Sequence, residues 1–493
     1  MELAFNNKLY LELQGKKIVE RIERFGDKLY LEFGGKLFDD YHASRVLPGF
    51  LPDSKLRMLL TLKEKVEVII GICATDIEKN KIRGDLDIPY QKEVLRLIDA
   101  FRESELYVGS VCVTKYKSTP QVDEFILKLN NDGIKTYKHY EIKDYPLAVD
   151  SIISPEGFGK NEYIETSRPL VVVTAPGPGS GKMAICLSQL YHENIRGIKA
   201  GYAKYETFPI FNRPLKHPLN LAYEAATVDL NDFNQIDPYH LEAYNELTVN
   251  YNRDIEIFPV VKSMFELMYG ECQYKSPTDM GVNMVGFAIE NEEIAKNCSK
   301  NEIIRRYLDA QIQVRNGKMK KSSLEKLGML MAQLNISIDD RRCVKAALAK
   351  AELTQTVSMA LELPNGDIIT AKQSDLLTAP AALILKSLKH LAKLKDKLNL
   401  ISPSIIKPIV KMKTKTLRNR NPKLHADEIL IALTISARDN PLAEAAYEQL
   451  ENLAGSQVHA SVILPKVDAD VFKKLKMDLT TEPVAHAHRL YIK

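Results

Sequence analysis

The chain has 493 residues, of which 45% are hydrophobic and 27% are charged, and its formal net charge is +4. This length is too great for one hydrophobic core, so the composition predicts a globular protein of several domains. No apolar run is long enough to cross a membrane, and the N-terminus lacks the pattern of a secretory signal. The six scattered cysteines exclude a disulfide framework or a zinc site, so we expect a cytoplasmic protein.

The first 140 residues alternate between predicted helices and predicted strands. The predicted helices are residues 8–25, 54–65, 91–104 and 122–132, and the predicted strands are 28–33, 66–76, 106–114 and 135–140. Strands that alternate with helices in this way predict an α/β fold with a mostly parallel sheet. A further apolar strand, at 168–174, would extend that sheet.

A glycine-rich turn connects this strand to an apolar helix at 183–191, which is the outline of a P-loop. Glycine lets the backbone approach an anion closely, and the helix adds unpaired N–H groups and the positive end of its dipole. The residues predicted to hold the anion are Gly177, Gly179, Ser180, Gly181 and Lys182.

Two residues of this turn differ from an ordinary P-loop. Pro176 stands at the usual first glycine, and Met183 stands where a hydroxyl normally binds Mg²⁺. A thioether is a poor ligand for this hard cation. The aspartate-ended strand 66–76 also precedes the turn, whereas in typical P-loop NTPases the acidic strand follows it. We therefore expect the ligand to be a phosphate or a nucleotide, and we doubt a Mg²⁺ requirement.

Other polar residues follow predicted strands of the same sheet. Gly34, Gly35, Lys36, Asp39 and Asp40 come after the strand 28–33. Because α/β proteins bind ligands at the carboxyl edge of the sheet, we predict that these residues line the same cleft as the glycine-rich turn.

A third group begins where the strand 66–76 ends. Asp76 and Arg83 belong to the charged stretch Asp76–Asp85 and complete the predicted anion site. Each group on its own is more often an ordinary solvated loop. No metal site is predicted, since no His-Glu-x-x-His helix occurs.

The rest of the chain divides by composition. We predict an α/β domain over 1–285 with a long polar segment at 199–285, a helical domain over 286–352 and a smaller α/β domain over 353–493. The polar segment is either functional or a subunit interface, and we expect a homo-oligomer. Asn365-Gly366 predicts a hairpin with a type I′ turn.

The segment Lys386–Lys423 contains a dozen lysines and arginines and a single acid, Asp396. A basic stripe of this kind can bind nucleic acid. No recognition motif or interleaved aromatic residues accompany the charge. We therefore favour a solvated helix face over a nucleic-acid surface.

Four stretches closely resemble a bacterial family catalogued as domain of unknown function eighteen forty-six. They are residues 28–45, 80–85, 173–183 and 276–283, and the resemblance runs from about residue 5 to about residue 483. It implies a cytosolic bacterial protein with an α/β part, a helical part and a second α/β part. It implies no activity and carries no catalytic residue onto this chain.

The residues thus predict a protein that binds a small anionic molecule containing phosphate, with a nucleotide among the candidates. One hypothesis is an enzyme that acts on this molecule. The alternative is a non-catalytic ligand-binding or oligomeric assembly protein.

Overall fold

The computed structural model describes residues 3–26, 28–84 and 86–485. The chain forms two compact units, one ending at Ser299 and the other beginning at Lys300. The division into three domains, with boundaries near residues 285 and 352, stays a prediction. Asp85, at the end of the predicted Asp76–Asp85 stretch, lies outside the described residues.

The first unit is built on a parallel sheet. The strands of the first unit are β1 (Leu29–Phe33), β2 (Val66–Cys73), β3 (Ile82–Arg83), β4 (Ile88–Pro89), β5 (Tyr107–Thr114), β6 (Lys135–Lys138), β7 (Leu170–Thr174), β8 (Gly201–Tyr205), β9 (Asn234–Ile236), β10 (Val249–Tyr251) and β11 (Gly281–Val282). Within the described residues, seven of them form one sheet in the order β11-β8-β1-β7-β2-β5-β6. All neighbours in this sheet are parallel, which confirms the predicted α/β fold.

Helices connect these strands. They are α1 (Asn7–Arg24), α2 (Tyr41–Val46), α3 (Ser54–Leu60), α4 (Ala74–Glu78), α5 (Tyr90–Glu103), α6 (Pro120–Asn131), α7 (Val149–Ile152), α8 (Lys182–Ile195), α9 (Pro218–Ala226), α10 (Pro238–Tyr244), α11 (Asn252–Tyr269) and α12 (Pro277–Met280). The strands β2 and β7 are buried along their whole length, as expected for apolar strands covered on both faces. None of the helices in the described ranges is long and apolar enough to cross a membrane.

The strand order creates a switch point between β1 and β7. The chain leaves β1 toward β2 on one side, and it leaves β7 toward β8 on the other. Because crossovers between parallel strands are right-handed, the two connections lie on opposite faces of the sheet. Open α/β sheets bind ligands outside the carboxyl ends of the strands at such a point, so we expect a ligand site at the ends of β1 and β7.

The polar segment 199–285 contains more regular structure than its composition indicates. It holds the helices α9 to α12, and its strands β8 and β11 belong to the main sheet. The polar composition therefore does not correspond to an irregular segment. Tertiary packing orders it, since tyrosine rings and buried asparagine side chains supply contacts that a periodic apolar pattern would otherwise give.

The second unit carries a smaller mixed sheet. Its strands β12 (Ser358–Glu362), β13 (Ile368–Lys372), β14 (Gln457–Ala460) and β15 (Asp478–Thr481) have the order β13-β12-β14-β15. β12 is antiparallel to both neighbours, and β14 is parallel to β15. The boundary between the units falls within the helix α13 (Glu292–Arg315). The helices of the second unit are α14 (Lys321–Gln333), α15 (Arg342–Thr354), α16 (Ala379–Leu391), α17 (Pro403–Lys411), α18 (Ala426–Ala437), α19 (Pro441–Tyr447) and α20 (Lys466–Lys474).

The predicted hairpin is present between β12 and β13. Its turn differs from the prediction, since Gly366 has a φ of +89° and Asn365 is not among the residues with positive φ. A type I′ turn needs positive φ at both positions. Asn365 instead accepts a hydrogen bond from the backbone N–H of Asp367, at 3.0 Å.

Candidate functional site

The turn between β7 and α8 has unused hydrogen-bond donors. The backbone N–H groups of Gly179, Ser180, Gly181 and Lys182 donate to no residue that the structure describes. Gly179 and Gly181 have φ values of +79° and +81°, a backbone conformation that glycine adopts without strain. These donors stand at the N-terminus of a helix of 14 residues, whose dipole favours a negative charge at that end.

Contacts within the turn and with β5 and α5 fix the shape of the turn. The Ser180 hydroxyl donates to the carbonyl oxygen of Gly177 at 3.0 Å, and the Thr114 hydroxyl donates to the carbonyl oxygen of Ser180 at 3.0 Å. A Cβ atom on Gly177 would lie 2.1 Å from the Tyr90 hydroxyl oxygen. Ser180 is fully buried, and its hydroxyl is used within the turn.

Lys182 is partly buried and makes no ion pair or hydrogen bond within the described ranges. Burial lowers the pKa of the Lys182 ammonium. The Glu32 carboxylate offsets part of this effect, whereas the cations Lys204 and Arg253 lower the pKa further. A bound anion would remove this conflict, because it would supply the missing negative charge beside a partly desolvated cation.

The structure brings the first predicted companion group close to the turn. β1 pairs with β7 in a register that sets Glu32 opposite Val173, so Gly34 and Gly35 follow at the level of residues 175 and 176. The N–H of Gly34 is used, because it donates to the carbonyl oxygen of Tyr205 at 3.0 Å. Lys36 is exposed at the same edge of the sheet.

Asp39 and Arg83 lie together in a network of ion pairs. Arg83 approaches Asp39 at 3.8 Å and also contacts the buried carboxylate of Glu93. Arg96 pairs with Asp39 at 3.2 Å and with Glu93 at 2.8 Å. Two cations and two carboxylates therefore balance each other, and this network joins the segment after β1 to α5.

The other predicted acids are paired as well. Asp40 is buried and forms an ion pair of 2.9 Å with Lys55, whose side chain is only 2% exposed. Asp76 pairs with Lys81 at 3.2 Å, and Lys81 lies over the ring of Tyr90, the residue that packs against Gly177. These carboxylates stabilise the loops around the turn, and none of them offers an unpaired charge to a ligand.

Sequence reasoning missed a charged cluster at the end of β8. Lys204 pairs with Glu206 at 2.6 Å and also contacts Asp254 at the start of α11. Glu32 of β1 accepts a hydrogen bond of 2.7 Å from Tyr202. The stretches containing these residues are conspicuously polar, but only the strand order shows that they lie at the same sheet edge as Lys182.

The cluster contains a carboxyl group whose pKa is raised. Burial raises the pKa of Glu206, and the adjacent Lys204 ammonium only partly reverses the shift. Burial alone would lower the pKa of Lys204, but Asp254 and Glu206 outweigh it and raise that pKa. Among the described residues, no group of three or more His, Cys, Asp or Glu side chains could hold a metal ion.

Comparison with known proteins identifies the family. A model described as "Domain of unknown function DUF1846, N-terminal" matches residues 3–335, and the corresponding C-terminal model matches residues 339–491. The chain belongs to the DUF1846 family. The resemblance inferred from the sequence motifs is thereby confirmed.

Curated relatives match over their whole length. A UPF0371 protein of Streptococcus thermophilus is 54% identical over 490 residues, which is 99% of each chain. A UPF0371 protein of Streptococcus pneumoniae serotype 19F is also 54% identical over 490 residues, again 99% of each chain. These names state no ligand or reaction, so the function has to be argued from the site.

Proposed function

We propose that this protein binds the oxyanion of a small phosphorylated or otherwise anionic molecule at residues 177–182. The observation that carries the proposal is the set of unused N–H donors at Gly179, Gly181 and Lys182, three residues that are at least partly exposed. Unpaired backbone donors are costly unless water or a ligand accepts from them. Converging N–H groups at a helix N-terminus are the usual way in which backbone binds phosphate.

A second glycine–lysine turn uses the N–H groups of its glycines and lysine within the chain. In the turn 157–161, the N–H groups of Gly157 and Gly159 donate to the carbonyl oxygen of Ser154 at 3.1 and 3.0 Å. The N–H of Lys160 donates to the carbonyl oxygen of Gly157 at 3.2 Å. The glycine and lysine N–H groups of this turn are thus used within the chain, so a similar sequence does not produce the same set of unused donors there.

A nucleotide fits the proposed class of ligand, but the usual magnesium chemistry does not follow from these residues. The hydroxyl of Ser180 donates to Gly177, and the side chain after Lys182 is the thioether of Met183. Magnesium prefers oxygen ligands. We therefore propose that backbone N–H groups and Lys182 hold the anion without a cation bound by the turn itself.

The turn and its neighbours support an enzyme and a binding protein alike. Glu206 and Lys204 give the same sheet edge an acid–base pair, which is the observation that favours catalysis. The alternative of a non-catalytic assembly protein predicts a homo-oligomer. Sedimentation with and without phosphate measures its oligomeric state, and a strict monomer in both conditions contradicts that alternative.

Calorimetric titration with inorganic phosphate and with ATP tests the proposed anion site. Lys182→Ala removes the charge beside the unused donors, and we expect it to weaken binding by roughly tenfold or more. Lys160→Ala is the matched control, because it removes an exposed lysine from the turn whose glycine and lysine N–H groups are used within the chain. Equal affinities of wild type, Lys182→Ala and Lys160→Ala would contradict the proposal.

A further inference from the structure

A second cavity lies beside the charged cluster, at the carboxyl ends of β8 and β11. It encloses about 220 Å³ and is lined by residues of α1, α10 and α12 and by Glu206 and Asn283, which follow the two strands. Asn283 donates to the carbonyl oxygens of Thr207 and Pro209 at 3.3 and 2.9 Å. These bonds hold the wall of the cavity, so its shape is built into the fold.

Arg21 of α1 contributes a buried positive charge to this wall. The residue is 8% exposed, and it has no ion-pair partner in the part of the chain that the structure describes. Its Nη2 donates to the backbone carbonyl of Asp279, while Nη1 is buried without an acceptor. The guanidinium also lies 5.5 Å from the centre of the Tyr274 ring, but Nη1 has no hydrogen-bond acceptor, and an anion in the cavity would supply one.

His240 of α10 is oriented by a buried serine. Its Nδ1 lies 2.8 Å from the hydroxyl oxygen of Ser276, which is fully buried and accepts a hydrogen bond from the N–H of Asp279 at 3.1 Å. The hydroxyl proton of Ser276 therefore has Nδ1 as its acceptor, since a buried hydroxyl without one is costly. That arrangement assigns the ring proton to Nε2.

The Nε2 of His240, a residue that lines the cavity, is left as a donor without an acceptor among the described residues. The carboxylate of Glu246 is 3.9 Å from it, which is too long for a hydrogen bond. The two acids that line the cavity are already engaged. Asp279 accepts from the Tyr244 hydroxyl at 2.8 Å and from the Lys275 N–H at 3.0 Å, and Glu206 pairs with Lys204.

We propose that this cavity is a second binding site for an oxyanion, a carboxylate or phosphate group of a small molecule, held by Arg21 and His240. The guanidinium supplies the charge, and Nε2–H of the imidazole supplies a directed hydrogen bond. The site is separate from the turn at 177–182, because β8 and β7 are two positions apart in the sheet, roughly 10 Å at the usual strand spacing.

Calorimetric titration with inorganic phosphate tests both sites on the full-length chain. His240→Asn can place its amide oxygen near Ser276 as the acceptor that Nδ1 provides, and it removes Nε2, so it tests that donor while keeping an acceptor for the serine hydroxyl. We expect two phosphate sites in the wild type. One of them should weaken roughly tenfold in His240→Asn and the other in Lys182→Ala.

The two proposals fail in different ways. Loss of a site in His240→Asn but not in Lys182→Ala supports the cavity and contradicts the turn, and the reverse result contradicts the cavity. Nitrogen-15 spectra of histidine-labelled wild-type protein give a second measurement that does not depend on a variant folding. We expect the His240 proton on Nε2 and a shift of that signal with phosphate; a proton on Nδ1 and no shift would overturn the inference.

Discussion

The buried pair of Asp40 and Lys55 gives the sharpest test of the claim that the predicted acids are structural. Asp40→Asn removes the charge but keeps the cap of α2, because an asparagine oxygen can accept from the N–H of Ala43 as the aspartate does, at 3.2 Å. Lys55 would then keep its charge with its side chain 2% exposed. Removing one partner of a buried pair costs about 3–5 kcal/mol of the free energy of unfolding.

Urea denaturation, monitored by circular dichroism, measures this loss of unfolding free energy in the transition of the first unit. The control is Asp53→Asn, since Asp53 pairs with Arg57 at 2.9 Å on an exposed helix face and its loss should cost at most about 1 kcal/mol. Asp40→Asn combined with Lys55→Met removes the unpaired charge and should recover most of the stability. A change below about 1 kcal/mol in Asp40→Asn would refute the argument, because the pair would then be a minor contact.

The stability difference between wild type and Asp40→Asn should depend on pH. Burial alone would raise the pKa of Asp40, but the Lys55 ammonium outweighs burial and lowers the pKa overall. A carboxyl group whose pKa is lower in the folded state contributes stability above its unfolded pKa, and this contribution is lost as the pH falls through the folded pKa. The difference between wild type and Asp40→Asn should therefore shrink in acid, and a difference that grows below about pH 4 would contradict the assignment.

Two further predictions concern the turn. Burial and nearby cations lower the pKa of Lys182, so phosphate affinity should fall as the pH rises through that lowered pKa. In Lys182→Ala the affinity should depend less on pH. An equally steep pH profile of affinity in both proteins would contradict this role of Lys182. Gly177→Ala should lower both the melting temperature and the phosphate affinity, because its Cβ would lie 2.1 Å from the Tyr90 hydroxyl oxygen. Adding Tyr90→Phe to this variant should restore part of each. An unchanged melting temperature and affinity in Gly177→Ala would contradict the contact.

The sequence predicted the elements of the first unit well where burial is uniform. The apolar runs that became β2 and β7 and the glycine-rich turn before α8 could be recognised because a central parallel strand needs no alternation and a strand-to-helix turn needs glycine. The sequence did not reveal the helices and strands of 199–285, because tyrosine, asparagine and aspartate side chains order this segment through partners distant in sequence. Asn234, for example, donates to the carbonyl oxygen of Asn220 at 2.9 Å.

The sequence by itself determined the family, the α/β class and the position of the turn, since each depends on residues that are close together along the chain. Only the tertiary structure decided which charges are free. Asp40 and Lys182 look equally available in the sequence, yet Asp40 pairs with Lys55 while Lys182 has no partner among the described residues. The reason is physical: whether a charge is compensated depends on side chains that the fold brings within a few ångströms, and periodicity and spacing do not record them.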